Sequence, residues 1–222
     1  MARQRQFDPD DALDIATRAF WLTGYEGTSI ADLEAAMGIS KPSIYRVFGS
    51  KEQLFRLAVD HFVERYAGFF FKALDEITVA EVVRDLIDGM IRSVTAGDTP
   101  PGSLLAQGAM ACARENEEMR VHVLCWRRKF EQLLAQRLAR ARDEGEFARE
   151  TDCRAVARYV TALCDGIALQ AKSGAARPAL RGIRDIALAG IFGACDAAAT
   201  EHGAAETAAG VGARCCDGQA KK

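Results

Sequence analysis

The chain has 222 residues, of which 49% are hydrophobic and only five are proline, a composition that supports a complete core and favours helices. Its formal net charge is -2 and its sequence pI is near 6.0, which excludes a chain that is basic throughout. The N-terminus is charged and lacks an apolar stretch, and no run of roughly 18 apolar residues occurs, so we predict neither a secretory signal nor a membrane span and expect a cytoplasmic protein.

Two short helices are predicted at the start of the chain. The first spans about 9–23, because Asp8 can accept a hydrogen bond from its first turn and Gly24 can adopt the conformation that ends a helix. The second begins after Ser29, which is followed three residues later by an acid in a capping-box pattern. Gly38 is expected to end it.

A third short helix is predicted over 41–48, only two residues beyond that glycine. Ser40 stands immediately before it and is expected to cap it. Ile44, Val47 and Phe48 are available to pack against the neighbouring helices. The positions between them are polar, so one face of this helix should remain in solvent.

A fourth helix is predicted after Ser50, and five longer helices follow from residue 78. Their predicted ranges are 78–96, 102–113, 116–144, 152–172 and 178–200. The breaks between them are rich in Gly or Pro, and no segment alternates with the two-residue period of a strand. The fold class is therefore predicted to be all-α. Residues from 203 onward are rich in Ala and Gly, and we expect a disordered tail there.

The second and third predicted helices, joined by a turn that contains glycine, have the form of a helix-turn-helix unit. Such a unit holds a short helix so that it can enter the major groove of DNA. Residues 40–51 contain Lys41, Arg46 and Lys51 and no acid, so this strip is locally positive. Tyr45 is predicted to face DNA, because its apolar neighbours already supply the packing face. Two ordinary packed helices of a bundle are the alternative.

Arg3 and Arg5 precede the first helix on a segment with no periodic pattern. They can serve as an arm that reaches a phosphate or the minor groove. A solvated tail is an equally good interpretation.

Residues 7–60 resemble the N-terminal domain of TetR-type transcriptional regulators. The positions that carry the resemblance are Gly24 and Tyr25, the turn around Gly38, and the series Tyr45, Phe48 and Lys51. Beyond residue 60 the chain matches only in layout, as a helical domain of the right length. Glu34 departs from the family pattern, since it stands where a small residue, often Ala, usually lies between the second and third helices. Its stem is expected to lie along that contact with its carboxylate in water.

The resemblance implies a repressor that binds a pseudo-palindromic double-stranded DNA operator as a homodimer and is released by a small-molecule effector. It implies a DNA-binding domain at 1–50, a connecting helix at 51–67 and a ligand-binding and dimerisation domain at 68–202. The dimer would form through the helices at about 152–172 and 178–200. Position in the family pattern and positive charge together predict nine DNA contacts. They are Ser29, Lys41, Pro42, Ser43, Tyr45, Arg46, Lys51, Arg3 and Arg5.

Several large or polarisable side chains of the second domain are candidates for an effector pocket. They are Met90, Leu105, Met110, Trp126, Phe130, Tyr159 and Cys164. For each of them, a place in the hydrophobic core is the alternative. The run Phe69, Phe70 and Phe71 points in three directions around a helix, so at most one or two of its rings can line a cavity.

No cofactor and no metal site is predicted. The seven cysteines form no CxxC pair, and we expect most of them to be free thiols, although a role in sensing oxidants or a soft metal ion stays open. His61, His122 and His202 are too scattered in sequence to suggest ligands. An enzyme is the second hypothesis, but the sequence has no GxSxG, HExxH or P-loop motif. A helical partner-binding module without a DNA role is the third.

Overall fold

The computed structural model describes residues 7–108 and 116–209, with side chains described as far as residue 193. Within these ranges the chain forms ten α-helices and no strand, which confirms the predicted all-α class. The helices are α1 Pro9–Thr23, α2 Ile30–Met37, α3 Lys41–Phe48, α4 Lys51–Tyr66, α5 Gly68–Leu74, α6 Val79–Val94, α7 Leu104–Gly108, α8 Glu117–Asp143, α9 Cys153–Lys172 and α10 Arg177–Ala209. None of the helices in the described ranges is both long and apolar enough to cross a membrane.

The predicted caps explain where α1 and α2 begin and end. The carboxylate of Asp8 accepts a hydrogen bond of 2.9 Å from the backbone N–H of Asp10. At the start of α2, Ser29 and Asp32 form both hydrogen bonds of a capping box. Gly38, with a φ of 66°, lies in the left-handed region that a side chain would strain, so the turn between α2 and α3 requires glycine.

An N-terminal core joins α1 to α4 and extends to α7 and the start of α8. Phe20 of α1 packs edge-on against Phe55 of α4, with 5.1 Å between ring centroids. Trp21 packs in the same way against Phe62, with 4.7 Å between centroids. These fully buried aromatic pairs fix α4 along α1.

A second core lies among α5, α6, α9, α10 and the later part of α8. It is mainly aliphatic, with Val82, Ile87, Leu134, Leu138 and Val160 completely buried. Because α8 contributes to both cores, this helix connects the two parts of the molecule.

The observed helices differ from the predicted ranges in three places. The connecting helix ends at Tyr66, and a separate α5 follows at Gly68–Leu74, which sequence periodicity did not resolve. The helix predicted at 102–113 begins at Leu104, and residues 109–115 lie outside the described part of the chain. The last helix continues to Ala209, past the predicted end at 200 and into the segment from 203 that was expected to be a disordered tail.

Polar contacts hold α4 on both sides. The carboxylate of Asp60 accepts a hydrogen bond of 2.7 Å from Nε1 of Trp126 and lies 2.9 Å from Nε2 of His122, both on α8. On the opposite side, the carboxylate of Asp14 on α1 accepts from the hydroxyl of Tyr66 and lies 3.1 Å from Nε2 of His61. A movement of α8 is therefore coupled to α4, and a movement of α4 to α1.

Candidate DNA-binding surface and internal cavity

Only two residues of α3 are buried. Ile44 is 1% exposed and Phe48 is 7% exposed, and both pack in the N-terminal core. Val47 was expected to pack beside them, but it is 41% exposed, so the buried stripe of α3 is limited to the i, i+4 pair of Ile44 and Phe48. The remaining face of α3 is therefore open to solvent.

Glu34 caps α3. Its carboxylate accepts a hydrogen bond from the backbone N–H of Lys41, the first residue of the helix. Ser40 occupies the cap position but makes no side-chain cap hydrogen bond, since its hydroxyl pairs with that of Ser43 at 3.1 Å. The predicted capping role of Ser40 is wrong in this respect. The departure at Glu34 leaves the helix-turn-helix intact, because the longer side chain reaches across to the next helix instead of separating the two.

The exposed face of α3 carries the predicted aromatic and basic residues. Lys41, Pro42, Tyr45 and Arg46 are all exposed, and Ser43 is half-buried beside them. Nζ of Lys41 lies 5.7 Å from the ring centroid of Tyr45, within the range of a cation–π contact. Fold and sequence thus bring these five residues together at the first turns of one short helix.

Lys51 lies on an aromatic support that sequence reasoning did not identify. Its Nζ is 4.2 Å from the ring centroid of Tyr25, which is almost fully buried. The hydroxyl of Tyr25 donates a hydrogen bond of 2.9 Å to Glu52. A hydrogen bond from Ser50, together with those from backbone and Tyr25, lowers the pKa of the Glu52 carboxyl. The adjacent glycine and tyrosine were recognised as a family pattern, but only the fold places that ring beneath the lysine.

Ser29 is exposed, but its hydroxyl is already used. It donates to the carboxylate of Asp32 at 2.7 Å and accepts from the Asp32 backbone N–H at 3.1 Å. The side-chain hydrogen bond from Ser29 lowers the pKa of the Asp32 carboxyl. A phosphate contact from Ser29 therefore requires its hydroxyl to exchange this carboxylate for the phosphate. Arg3 and Arg5 lie outside the described residues.

A cavity of about 250 Å³ lies between α4, α5, α6, α8 and α9, with the segment around Ser103 at one end. Of the predicted pocket residues, Met90, Leu105, Phe130 and Cys164 line it. Sequence reasoning missed several other lining residues, because they come from four different helices and share no local pattern. These include Phe62, Leu86, Arg127 and Asp165. Phe69 and Phe70 of the aromatic run also line the cavity, within the limit of one or two rings expected from helical geometry.

Two predicted pocket residues do not reach the cavity. Trp126 is turned toward α4, where its indole N–H is bound by Asp60. Tyr159 is 49% exposed on the outer side of α9, since the buried stripe of that helix runs through Ala157, Val160 and Cys164. Met110 lies outside the described residues.

The cysteines of the described side chains are free thiols, as expected for Cys125, Cys153 and Cys164. Burial raises the pKa of the Cys164 thiol well above its usual range, so this group stays protonated and behaves as an apolar part of the cavity wall. Over the described residues, no three metal-binding side chains come together.

Comparison with known proteins identifies both parts of the chain. A family model described as bacterial regulatory proteins of the tetR family matches residues 12–58. A second model, described as the tetracyclin repressor-like C-terminal domain, matches residues 80–186. The first match covers the helix-turn-helix and the first half of α4, and the second covers the part of the chain from α6 to α9 that forms most of the cavity lining.

Two similar proteins match this chain over most of their length. The HTH-type transcriptional repressor ComR of Escherichia coli K12 is 31% identical over 179 residues, which cover 78% of this chain and 83% of ComR. A solved structure of a cysteine mutant of the TetR family transcriptional regulator CifR, complexed with 26-base-pair operator DNA, has a TM-score of 0.80 at 34% identity and covers 84% of this chain and 98% of that one. The chain therefore belongs to the TetR family of DNA-binding transcriptional regulators.

Proposed function

We propose that this regulator is a repressor that binds a pseudo-palindromic operator as a homodimer and releases it when a small molecule enters the cavity. The observation that carries the proposal is the open face of α3, where Lys41, Tyr45 and Arg46 are exposed while Ile44 and Phe48 anchor the helix. An operator complex of the similar regulator CifR supports the same mode of binding.

Within this surface, contacts divide between base pairs and the phosphate backbone. The first turns of α3 supply Lys41, Pro42, Ser43 and Tyr45, which lie where a recognition helix meets base edges. Lys51 opens α4, whose positive N-terminal end attracts a phosphate as well. Arg46 adds positive charge on the same side, and Ser29 joins the phosphate contacts once its hydroxyl leaves Asp32. We assign Arg3 and Arg5 to a minor-groove arm.

The homodimer is assigned to α9 and α10. These helices expose large apolar side chains, such as Leu169 at 56% and Ile186 at 76% exposure. Burying such side chains between two copies of the chain would stabilise a dimer. A two-fold symmetric dimer presents two copies of α3, which reach half-sites about one helical turn of DNA, roughly 34 Å, or a multiple of it apart. The dimer acts in the cytoplasm, because its DNA operator lies there.

Helix α4 transmits the effect of the ligand. It lines the cavity through Phe62 and is bound to α8 through Asp60 and Trp126, and α8 lines the cavity through Phe130. A ligand that favours a different position of α4 changes the spacing of the two α3 helices. A coupling free energy of about 1–3 kcal/mol changes operator affinity roughly 5- to 150-fold.

Selection of bound DNA from a random library tests the DNA-binding proposal. The full chain should enrich inverted repeats whose half-sites are about 10 base pairs, or a multiple, apart. The double variant Lys41→Ala, Arg46→Ala should enrich nothing at the same salt concentration. The matched control Lys129→Ala, Arg149→Ala removes two exposed charges outside the DNA-binding surface and outside the helices assigned to the dimer, and it should enrich the same repeats. Equal enrichment by both variants would contradict the assigned surface.

A further inference from the structure

The inner wall of the cavity is apolar. Phe62 and Phe70 are almost fully buried, and the ring centroids of Phe70 and Phe130 lie 4.4 Å apart. Leu86 and Met90 of α6 complete this wall. The cavity volume of about 250 Å³ exceeds the roughly 150 Å³ of a protein cavity that binds benzene. This volume has room for one substituted ring.

Three of the four charged residues that border the cavity, Arg127, Glu131 and Asp165, are already paired. Nη1 of Arg127 donates to Oδ1 of Asp165 at 2.8 Å, and Nη2 donates to Oδ2, so the pair is two-pronged. Glu131 accepts from Arg158 at 3.1 Å. Arg128 is exposed, and its charge stays in water. An anion that approached Arg127 would lie beside Asp165, and a cation that approached Asp165 would lie beside Arg127, so either charge meets repulsion in a partly desolvated site.

One hydroxyl is suited to a neutral polar group. Ser103 is buried in the lining, and its hydroxyl accepts only a long hydrogen bond of 3.5 Å from the Ala106 backbone N–H, so it can still donate to a ligand. Thr161 differs, because its hydroxyl lies 3.0 Å from backbone carbonyls of its own helix.

From the paired charges, the aromatic wall and the hydroxyl of Ser103, we propose that the effector is an uncharged molecule built on a single ring and carrying a hydroxyl or carbonyl group. This inference rests on the proposed function, since it names the class of ligand that the cavity takes. The ring packs against the phenylalanines, the polar group accepts a hydrogen bond from Ser103, and the Arg127–Asp165 pair excludes charged analogues of the same size.

Three probes of nearly equal size test the proposal on the full-length protein by titration calorimetry: benzyl alcohol, benzoate and benzylammonium. Benzyl alcohol should bind at least about tenfold more tightly than either charged probe, because the buried charges of the wall are paired and the charge of Arg128 is solvated. Benzoate or benzylammonium binding as tightly as the alcohol would overturn the proposal. Absence of heat from all three probes up to their solubility would overturn it as well.

A variant that removes one charge of the pair should increase the affinity for benzoate. A misfolded variant could not produce such an increase. Asp165→Asn leaves Arg127 unpaired, so benzoate should then bind at least about tenfold more tightly while the affinity for benzyl alcohol is retained. The matched control is Asp88→Asn, which breaks the comparably buried Asp88–Arg184 pair outside the cavity lining. The control should leave all three affinities unchanged. No gain of benzoate binding in Asp165→Asn would contradict the role of the pair.

Operator binding, measured on the same preparations by fluorescence anisotropy, separates the two proposals. If the protein binds its selected operator but none of the probes, the proposed ligand class is wrong and the proposed repressor function is retained. If benzyl alcohol binds but no DNA sequence is selected, the proposed repressor function is wrong and the proposed ligand class of the cavity is retained.

Discussion

Replacement of Lys51 by alanine removes a charge whose position is well defined. Nζ of Lys51 lies 4.2 Å from the ring centroid of Tyr25, at the first residue of α4. Each phosphate contact contributes about 0.9 to the slope of log affinity against log salt concentration. Since a homodimer loses two such contacts, the slope should fall by about 1.8. The affinity ratio of wild type to Lys51→Ala should therefore be roughly 12-fold larger at about 50 mM salt than at about 200 mM.

The measurement is fluorescence anisotropy with the selected operator at several salt concentrations. Lys129→Ala is the matched control, because Nζ of Lys129 lies 4.5 Å from the ring centroid of Trp126 in a similar cation–π contact on α8. Both variants lose one such contact, worth about 0.5–1 kcal/mol at an exposed site, so their melting temperatures should be similar. Only Lys51→Ala should change the slope. If the plots of log affinity against log salt concentration are parallel for wild type and Lys51→Ala, Lys51 does not contact a phosphate.

Three further predictions concern the recognition helix and its support. Tyr45→Ala should weaken operator binding by about 1–3 kcal/mol without changing the melting temperature, since the exposed ring contributes little to the core; unchanged affinity would remove Tyr45 from the interface. Glu34→Ala should lower stability by about 1 kcal/mol, or the melting temperature by about 2–4 °C, through loss of the α3 cap, whereas Ser40→Ala should have a clearly smaller effect in the same thermal unfolding assay. If Ser40→Ala costs as much, the cap is misassigned. Partial burial by itself raises the pKa of Asp14, but hydrogen bonds from Tyr66 and its neighbours outweigh it and the pKa lies below the ordinary value. The stabilisation is therefore present above about pH 4 and is lost as the pH falls through the lowered pKa. Chemical unfolding at a series of acidic pH values should show this loss in the wild type and a flatter dependence in Asp14→Asn; identical curves would exclude Asp14 as a contributor.

Local sequence signals placed the helices of the N-terminal third of the molecule, although the cap role of Ser40 and the packing of Val47 were wrong. Asp8, Ser29 and Gly38 act within one or two turns of their own positions, so their effects on helix ends can be derived without knowing the fold. The same holds for the open face of α3, because helical period alone separates Ile44 and Phe48 from Tyr45. The family resemblance added the function, and the comparisons confirmed it.

The sequence by itself determined the helical class, the helix-turn-helix and the polar residues that α3 presents, because each depends on contacts between residues a few positions apart. Only the tertiary structure decided which side chains enclose the cavity and that Lys51 lies on Tyr25. It also decided that Glu34 caps the following helix and that Trp126 binds Asp60 instead of a ligand. These contacts join residues that are distant in sequence or lie on different helices, and their partners are chosen by how the helices pack, which no local pattern encodes.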